Sequence, residues 1–324
     1  MRPQQVGFSR GEATPATEET LPLGEVLRLL RHAVGPKVEV ASLTVYRRLR
    51  DYYVLLVRIR NPDMSLVVKL AGPKAHLPCP FDRSAAIHRL VSDQTDIPMP
   101  AVLAADTSYR LWPWRFFIKA HIPGEEWAVL RHRLDPAQLH DASAQFGHAV
   151  AQLHRIRFPS FGELDDDGCI GHSQPLLAAL RERAVRFIGS HRLLELFLSA
   201  LDHRRDLFEG VCVASLCHED LHEHNLLFEW REGRWRLATI LDFDKAWAGH
   251  SESDLARLDL WTGMSSPAFV SAYEALISID PLYAQRRSIY QLLWCLEYAS
   301  PTAKHLADTQ RVCAEAGLDF QGFE

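Results

Sequence analysis

Between Leu216 and Phe228 the chain sets His218, His222 and His224, the carboxylates Glu219, Asp220 and Glu223, and the amide Asn225 between apolar flanks. A short polar stretch bracketed by strand-like runs reads as a loop presenting side chains from a rigid scaffold. Downstream, Leu241-Asp242-Phe243-Asp244 places two more carboxylates at the end of an apolar run. These residue types suit two chemistries. In phosphoryl transfer one carboxylate accepts a hydroxyl proton, while an amide oxygen and a second carboxylate hold magnesium on a phosphate chain. In zinc hydrolysis, two histidines four residues apart, as in His218-Glu219-x-x-His222, bind the metal beside a glutamate base.

The surrounding elements weigh between them. The zinc arrangement needs a helix with both histidines on one face. Here Asn225-Leu226-Leu227-Phe228 reads as a strand directly after the polar stretch, and a polar turn with Gly233 leads to a second strand, Trp235–Leu241. That hairpin leaves little room for a helix and delivers Asp242 from the end of a buried strand. Asp220, a further charge inside the His218–His222 motif, also suits a zinc helix poorly.

His218-x-Asp220-x-x-x-x-Asn225, Leu241-Asp242-Phe243-Asp244 and Asp254-Leu255-Ala256, in this order, resemble the aminoglycoside phosphotransferase and choline kinase-like family. The resemblance runs from about Leu23 to Tyr298. It implies an α+β, two-lobed, protein-kinase-like fold: a small N-terminal lobe with an antiparallel sheet plus a helix, and a larger, mostly helical C-terminal lobe. Residues 1–19 are then a flexible tail, 20–120 the nucleotide-binding lobe, and 121–324 the catalytic and substrate-binding lobe. The implied reaction moves the γ-phosphate of ATP or GTP to a hydroxyl of a small molecule. Asp220 is the base, and Asn225 and Asp242 hold Mg2+. Lys69 binds phosphate at the end of a Val-Val strand, and the backbone at Ala120 and Ile122 receives the base of the nucleotide. His218, Asp244 and Asp254 support the loop, Asp254 by tying the next helix to it.

Three departures from the family pattern stand out. The first hairpin, with Arg48 and Arg50 near its turn, has no glycine to bring backbone close to phosphate. The helix after Lys69 carries Arg83 where a glutamate partner for the lysine is usual, with Asp82 adjacent and placed to cap that helix. Glu219 stands where glycine is common and is given no role. The missing glycines and glutamate keep a catalytically lapsed, kinase-fold binding protein open as an alternative, beside the zinc hydrolase.

The remaining elements follow from periodicity. Thr20 caps a helix with Val26, Leu27 and Leu30 on one face, ending at Gly35-Pro36. Strands follow at Lys37–Tyr46, Tyr52–Arg60, Ser65–Leu70, Ala101–Ala104 and Trp114–Ala120, with a helix at Phe81–Val91. Asp135-Pro136 opens a helix with a buried stripe of Leu139, Ala142, Phe146, Ala149, Val150 and Leu153. A loop from Phe158 to Gln174 holds Glu163 and Asp165 to Asp167, either lining a site for a cationic substrate or simply solvated. Helices are expected at Leu176–Ile188, His191–Phe208, from Asp254, at Ala268–Ser278 and at Leu282–Tyr298, and a loop at Ala246–His250.

A net charge of -5 without a Lys/Arg run gives no reason to expect nucleic acid. No apolar run reaches membrane length, and Met1 to Thr20 lacks a signal-peptide core. The six cysteines are scattered without paired metal-ligand spacing and read as free thiols. The expected setting is cytoplasmic, with a small hydroxylated partner.

Overall fold

The structure, a computed structural model, describes residues 23–48, 52–72, 79–261, 263–298 and 302–323. The expected tail, the Thr20 cap and the hairpin turn with Arg50 lie outside the described residues, as does the side chain of Arg48.

The N-terminal lobe opens with α1 (Leu23–Ala33), whose Val26, Leu29 and Leu30 are buried. Strands β1 (Glu39–Arg48), β2 (Tyr52–Arg60) and β3 (Met64–Ala71) follow, then α2 (Phe81–Gln94), β4 (Val102–Asp106) and β5 (Arg115–Ala120). The five strands form one antiparallel sheet in the order β1-β2-β3-β5-β4. One face packs on α1. On the other, Phe117 meets Phe81 of α2, while Ile87 and Val91 of the same helix join the core of the second lobe. Helix α2 therefore belongs to both lobes.

Gly124 lets the connecting segment cross close to the second lobe, since a Cβ there would lie 3.1 Å from the Phe228 carbonyl oxygen. Next come β6 (Glu125–Glu126), the short α3 (Trp127–Leu130), α4 (Pro136–Arg155) and β7 (Arg157–Phe158). Asp135 and Gln138 form a capping box with Pro136 at the first turn of α4, as Asp135-Pro136 predicts. Burial of the stripe begins at Ala142, and Leu139, in the first turn, is exposed rather than buried.

Helices α5 (Leu176–Phe187), α6 (His191–His203) and α7 (Asp206–Glu209) precede β8 (Ala214–Cys217). The single helix expected over His191–Phe208 breaks at Arg204, whose guanidinium reaches Ser288 and the Ala316 carbonyl. β9 (Leu226–Arg231) and β10 (Arg234–Ile240) form the anticipated hairpin, with β6 beside β9. The segment expected to be a loop after Asp244 contains β11 (Trp247–Gly249), paired with β8. Then come α8 (Glu252–Leu258), α9 (Pro267–Glu274), α10 (Tyr283–Tyr298) and an unanticipated α11 (Ala303–Glu315), capped by Thr302. No helix among the described residues is long and apolar enough to cross a membrane.

Candidate active site

Side chains alternate across a strand, and the β3–β5 register sets Lys69 opposite Phe117 and Val67 opposite Lys119. Leu66, Val68, Leu70, Phe116 and Ile118 share a core with α1. Lys69 and Lys119 therefore point the other way, to the α2 side of the sheet. Lys69 Nζ donates to Asp242 Oδ1 at 2.8 Å and to Asp244 Oδ2 at 3.2 Å.

These two carboxylates supply partners for Lys69 that the sequence reading left unassigned. Helix α2 approaches the same cluster by another route. Ser84 Oγ donates to Asp244 Oδ1 at 2.6 Å, and Arg83 Nη2 donates to the Asp244 carbonyl at 2.7 Å. Arg83, at the expected glutamate position, thus grips the backbone of the acidic segment, and its own charge is met by Glu163 at 3.5 Å. Glu163 also pairs with Arg183 and Arg186, so this carboxylate of the 158–174 loop serves the fold rather than a ligand. Asp82 is not the helix cap. Pro80 holds that place, and Asp82 accepts from the Thr107 amide and hydroxyl.

Asp242 has left-handed backbone (φ 67°), turning the chain from β10 into the 3-10 turn Phe243–Lys245. Burial pushes its carboxyl pKa up, but the charge and hydrogen bond of Lys69, with Lys119 behind it, hold it below the ordinary carboxylate range. Asp244 moves the opposite way: burial and the charge of Asp242 raise it against Lys69 and Ser84. The two carboxyls are therefore shifted in opposite directions, Asp242 down and Asp244 up.

Sequence reasoning missed Lys119. It is 5% exposed, and its amine lies 3.4 Å from Nε2 of the buried His88. His88 Nδ1 donates to the Ser84 carbonyl, so Nε2 is the acceptor for the lysine. Burial, then the neighbouring Lys69, lower the Lys119 amine to about 8. One signal was available: a lone lysine in the apolar run Phe116-Phe117-Ile118-Lys119-Ala120.

At the other wall of the cleft, β8 ends at Cys217 and a loop carries residues 218–225. Asp254 holds this loop, accepting from the amides of His218 and Glu219 at 2.7 Å each and lying 3.1 Å from His154 Nε2. Burial raises its carboxyl, and the hydrogen bond and charge of His154 outweigh burial, so the net shift is downward. The buried His218 takes the Asp220 amide at Nδ1 (3.1 Å) and donates from Nε2 to the Leu241 carbonyl (2.8 Å), linking the Asp220 loop to the residue before Asp242.

Both His218 nitrogens are thereby used, and no helix brings His218 and His222 together, so the zinc reading fails on geometry. Among the described residues, the His, Cys, Asp and Glu group able to meet on one metal is His154, Cys217 and Asp254. Two of its members already hold the loop amides and the Tyr273 hydroxyl.

Glu219 carries more than the sequence reading assigned. It has φ 61°, which explains why glycine suits the position, yet it is buried. Its Oε1 accepts from Trp247 Nε1 at 2.8 Å and Ser253 Oγ at 2.5 Å, while Oε2 lies 3.7 Å from Arg257.

Asp220 has its carboxylate a quarter exposed, 3.8 Å from His222 Nε2. Asn225 donates Nδ2 to the Asp220 carbonyl at 2.9 Å, which turns its Oδ1 away from the loop. With Oδ1 of Asp242 on Lys69 and Oδ2 remaining, the cleft offers an amide oxygen and a carboxylate oxygen, a donor set for a hard, oxygen-seeking cation such as Mg2+. In the connecting segment, the Ala120 amide donates to Ala101 O and the His121 amide to Ser65 O, and the His121 side chain is exposed. Ile122 makes no backbone–backbone hydrogen bond among the described residues.

Residues 47–289 match the phosphotransferase enzyme family (APH). No curated protein matches this sequence. Among solved structures, the chain is similar to a thermostable mutant of aminoglycoside phosphotransferase APH(4)-Ia in ternary complex with ADP and hygromycin B. The TM-score is 0.62 at 13% identity over 90% of this chain and 96% of that one. Spectinomycin phosphotransferase APH(9)-Ia in complex with ADP and spectinomycin gives 0.53 at 14% identity, over 91% of each chain. Plasmodium vivax ethanolamine kinase gives 0.53 at 15% identity, over 85% and 83%. At such identities the likeness is one of fold, and the fold is the two-lobed α+β arrangement expected from the motifs.

Proposed function

This chain belongs to the phosphotransferase enzyme family, and from that premise we propose that it moves the γ-phosphate of ATP or GTP to a hydroxyl of a small molecule. The observation carrying this reading is the convergence of Lys69 and Asp242 at 2.8 Å across 173 residues of sequence. That contact closes a cleft whose other wall bears Asp220 and Asn225. Residues 20–120 serve as the nucleotide lobe and 121–324 as the catalytic and substrate lobe. Need for ATP or GTP and free thiols at all six cysteines favour a cytoplasmic setting.

Asp220 accepts the acceptor-hydroxyl proton as the oxygen attacks the γ-phosphorus and the bond to the β–γ bridging oxygen breaks, releasing the nucleoside diphosphate; the base role is generally worth ~10²–10⁴-fold. Lys69 places a fixed positive charge where negative charge spreads over the phosphate chain. Ile122, with Ala120 beside it, receives the purine through backbone groups. His218 and Asp254 orient the Asp220 loop, and Asp244 holds Lys69 against Ser84 and α2. Mg2+, held by Asn225 Oδ1 and Asp242, supplies charge neutralisation on the phosphates.

The test is thermal denaturation with Mg2+ and ATP or GTP. At about 100 times the dissociation constant, ligand adds ~2.7 kcal/mol of stability. Asp242→Ala should remove the magnesium-dependent part. A protein unmoved by any nucleoside triphosphate, with or without magnesium, overturns this reading. Nucleotide binding without turnover on any hydroxylated acceptor returns the lapsed-kinase alternative.

A further inference from the structure

Beside Asp220 four rings form a connected series. His222, 3.8 Å from the Asp220 carboxylate, has its ring 6.3 Å from Trp261. Trp261 meets Trp294 edge-on at 5.3 Å, and Trp294 stacks with Tyr298 at 6.0 Å. A ring-lined wall next to a phosphotransferase base commonly suggests a cationic acceptor seated on aromatic faces. Here the chain supplies those cations itself. Lys304 lies over Trp261 (5.7 Å), Arg257 over Trp294 (5.4 Å) and Lys245 over Tyr298 (5.3 Å).

The carboxylates of this rim are also committed. Glu297 pairs with Lys245 and Asp308 with Lys304, each at 2.6 Å, and Glu223 pairs with Arg131 at 2.7 Å. A polycation would have to compete for each of them.

What the wall has in surplus is hydrogen-bond donors. The Arg257 residue is 3% exposed, yet among the described residues neither Nη1 nor Nη2 has a hydrogen-bond acceptor, and Nε1 of Trp261 has none. Glu219, at 3.7 Å, balances the guanidinium charge without reaching hydrogen-bond distance. Buried donors are normally satisfied, and an orphaned cluster beside a catalytic group marks the place of an absent acceptor. Arg257 also sits three residues after Asp254, on the helix that fixes the catalytic-loop amides, so it is held in register with Asp220. Trp294, 5.4 Å from the guanidinium, meets Trp261, which in turn meets His222 beside Asp220, so this series of rings connects Arg257 to Asp220.

We infer that the acceptor is a hydroxyl compound bearing an oxyanion, a carboxylate or a phosphate, received by Arg257 and the Trp261 N–H. This rests on the phosphotransferase reading and narrows it, turning the substrate class away from polycationic aminoglycosides.

The test uses one scaffold in three charges: 3-phenyllactate, 3-phenylpropane-1,2-diol and phenylalaninol, with glycerol 2-phosphate as the phosphate arm. Affinities are measured by titration calorimetry without nucleotide. At least one oxyanion should bind about 10-fold or more tighter than phenylalaninol, since charge-assisted bonds to a buried guanidinium are strong. Whichever of phenyllactate and glycerol 2-phosphate binds tighter identifies the group recognised. Arg257→Gln should erase the preference while leaving the diol unchanged, and Trp261→Phe should weaken oxyanion binding several-fold. Should Arg257→Gln fail to fold, the charge series on the unaltered protein and on Trp261→Phe decides. Equal or tighter binding of phenylalaninol, no binding by any member, or a preference surviving in Arg257→Gln overturns the inference. Nucleotide thermal shifts recorded on the same proteins separate the two readings, because their loss counts against phosphotransfer and not against the acceptor class.

Discussion

The ammonium of Lys69 sits between two carboxylates of one short turn, 2.8 Å from Asp242 and 3.2 Å from Asp244. This bifurcated contact joins the N-terminal sheet to the end of β10. It also holds the Asp242 carboxyl below its ordinary range.

Removing the lysine should therefore shift an acid limb. Lys69 keeps the Asp242 carboxyl below its ordinary range, so Asp242 remains charged well into acid. In Lys69→Met that support is gone, and burial leaves Asp242 protonating at higher pH. Binding of Mg2+ and ATP should weaken by about 10-fold or more near neutrality. The loss as pH falls should also begin at a higher pH than in the parent protein. Calorimetric titrations between pH 4.5 and 7.5 check this, and superimposable pH profiles would remove the coupling.

Asp220 makes few contacts that the fold depends on, its carboxylate lying 3.8 Å from the His222 imidazole. Asp220→Asn should thus lower kcat by ~10²–10⁴-fold while melting temperature and nucleotide-induced stabilisation stay at parental values. Full activity in the purified variant on an identified acceptor would sink the base assignment.

Lys119 should show itself in the pH dependence of stability. Burial lowers its amine from 10.5 to about 8. The unfolded chain then binds the extra proton between those values, so stability rises as pH climbs through that window, and the penalty is complete below pH 8. A shift of this size corresponds to roughly 3 kcal/mol. Lys119→Met should be more stable than the parent at pH 7, with the advantage fading towards pH 10.5. Denaturant melts at pH 7 and pH 10 measure it, and an advantage independent of pH would mean that no buried charge was involved.

Helices α4 and α9 touch backbone to backbone at Gly147, where a Cβ would lie 2.2 Å from the Phe269 carbonyl oxygen. Neither backbone can yield cheaply. Gly147→Ala should cost about 1–3 kcal/mol or more and leave the kcat of the folded fraction near parental. A melting temperature within a degree of the parent would show that the helices part freely.

The sequence by itself determined the local elements and the order of the functional groups along them. Apolar runs bounded by polar turns marked β2 and the hairpin of β9 and β10, Asp135-Pro136 marked the start of α4, and the spacing from His218 to Asp254 indicated the family. These are legible because period, cap chemistry and motif spacing depend on residues close together in the chain. Which groups finally meet was decided by tertiary structure. The partners of Lys69 lie 173 and 175 residues away, and no local pattern selects Asp244 and Ser84 over a helix glutamate. Lys119 looked like one more strand residue until the register of β3 and β5 placed it beside Lys69. Glu219 looked incidental until β11 and α8 closed over it with Trp247 and Ser253. Arg257 looked like an ordinary helix arginine until packing buried its guanidinium and left its donors unmet. Burial and charge coupling depend on what the rest of the chain lays against a side chain, and only the folded arrangement contains that.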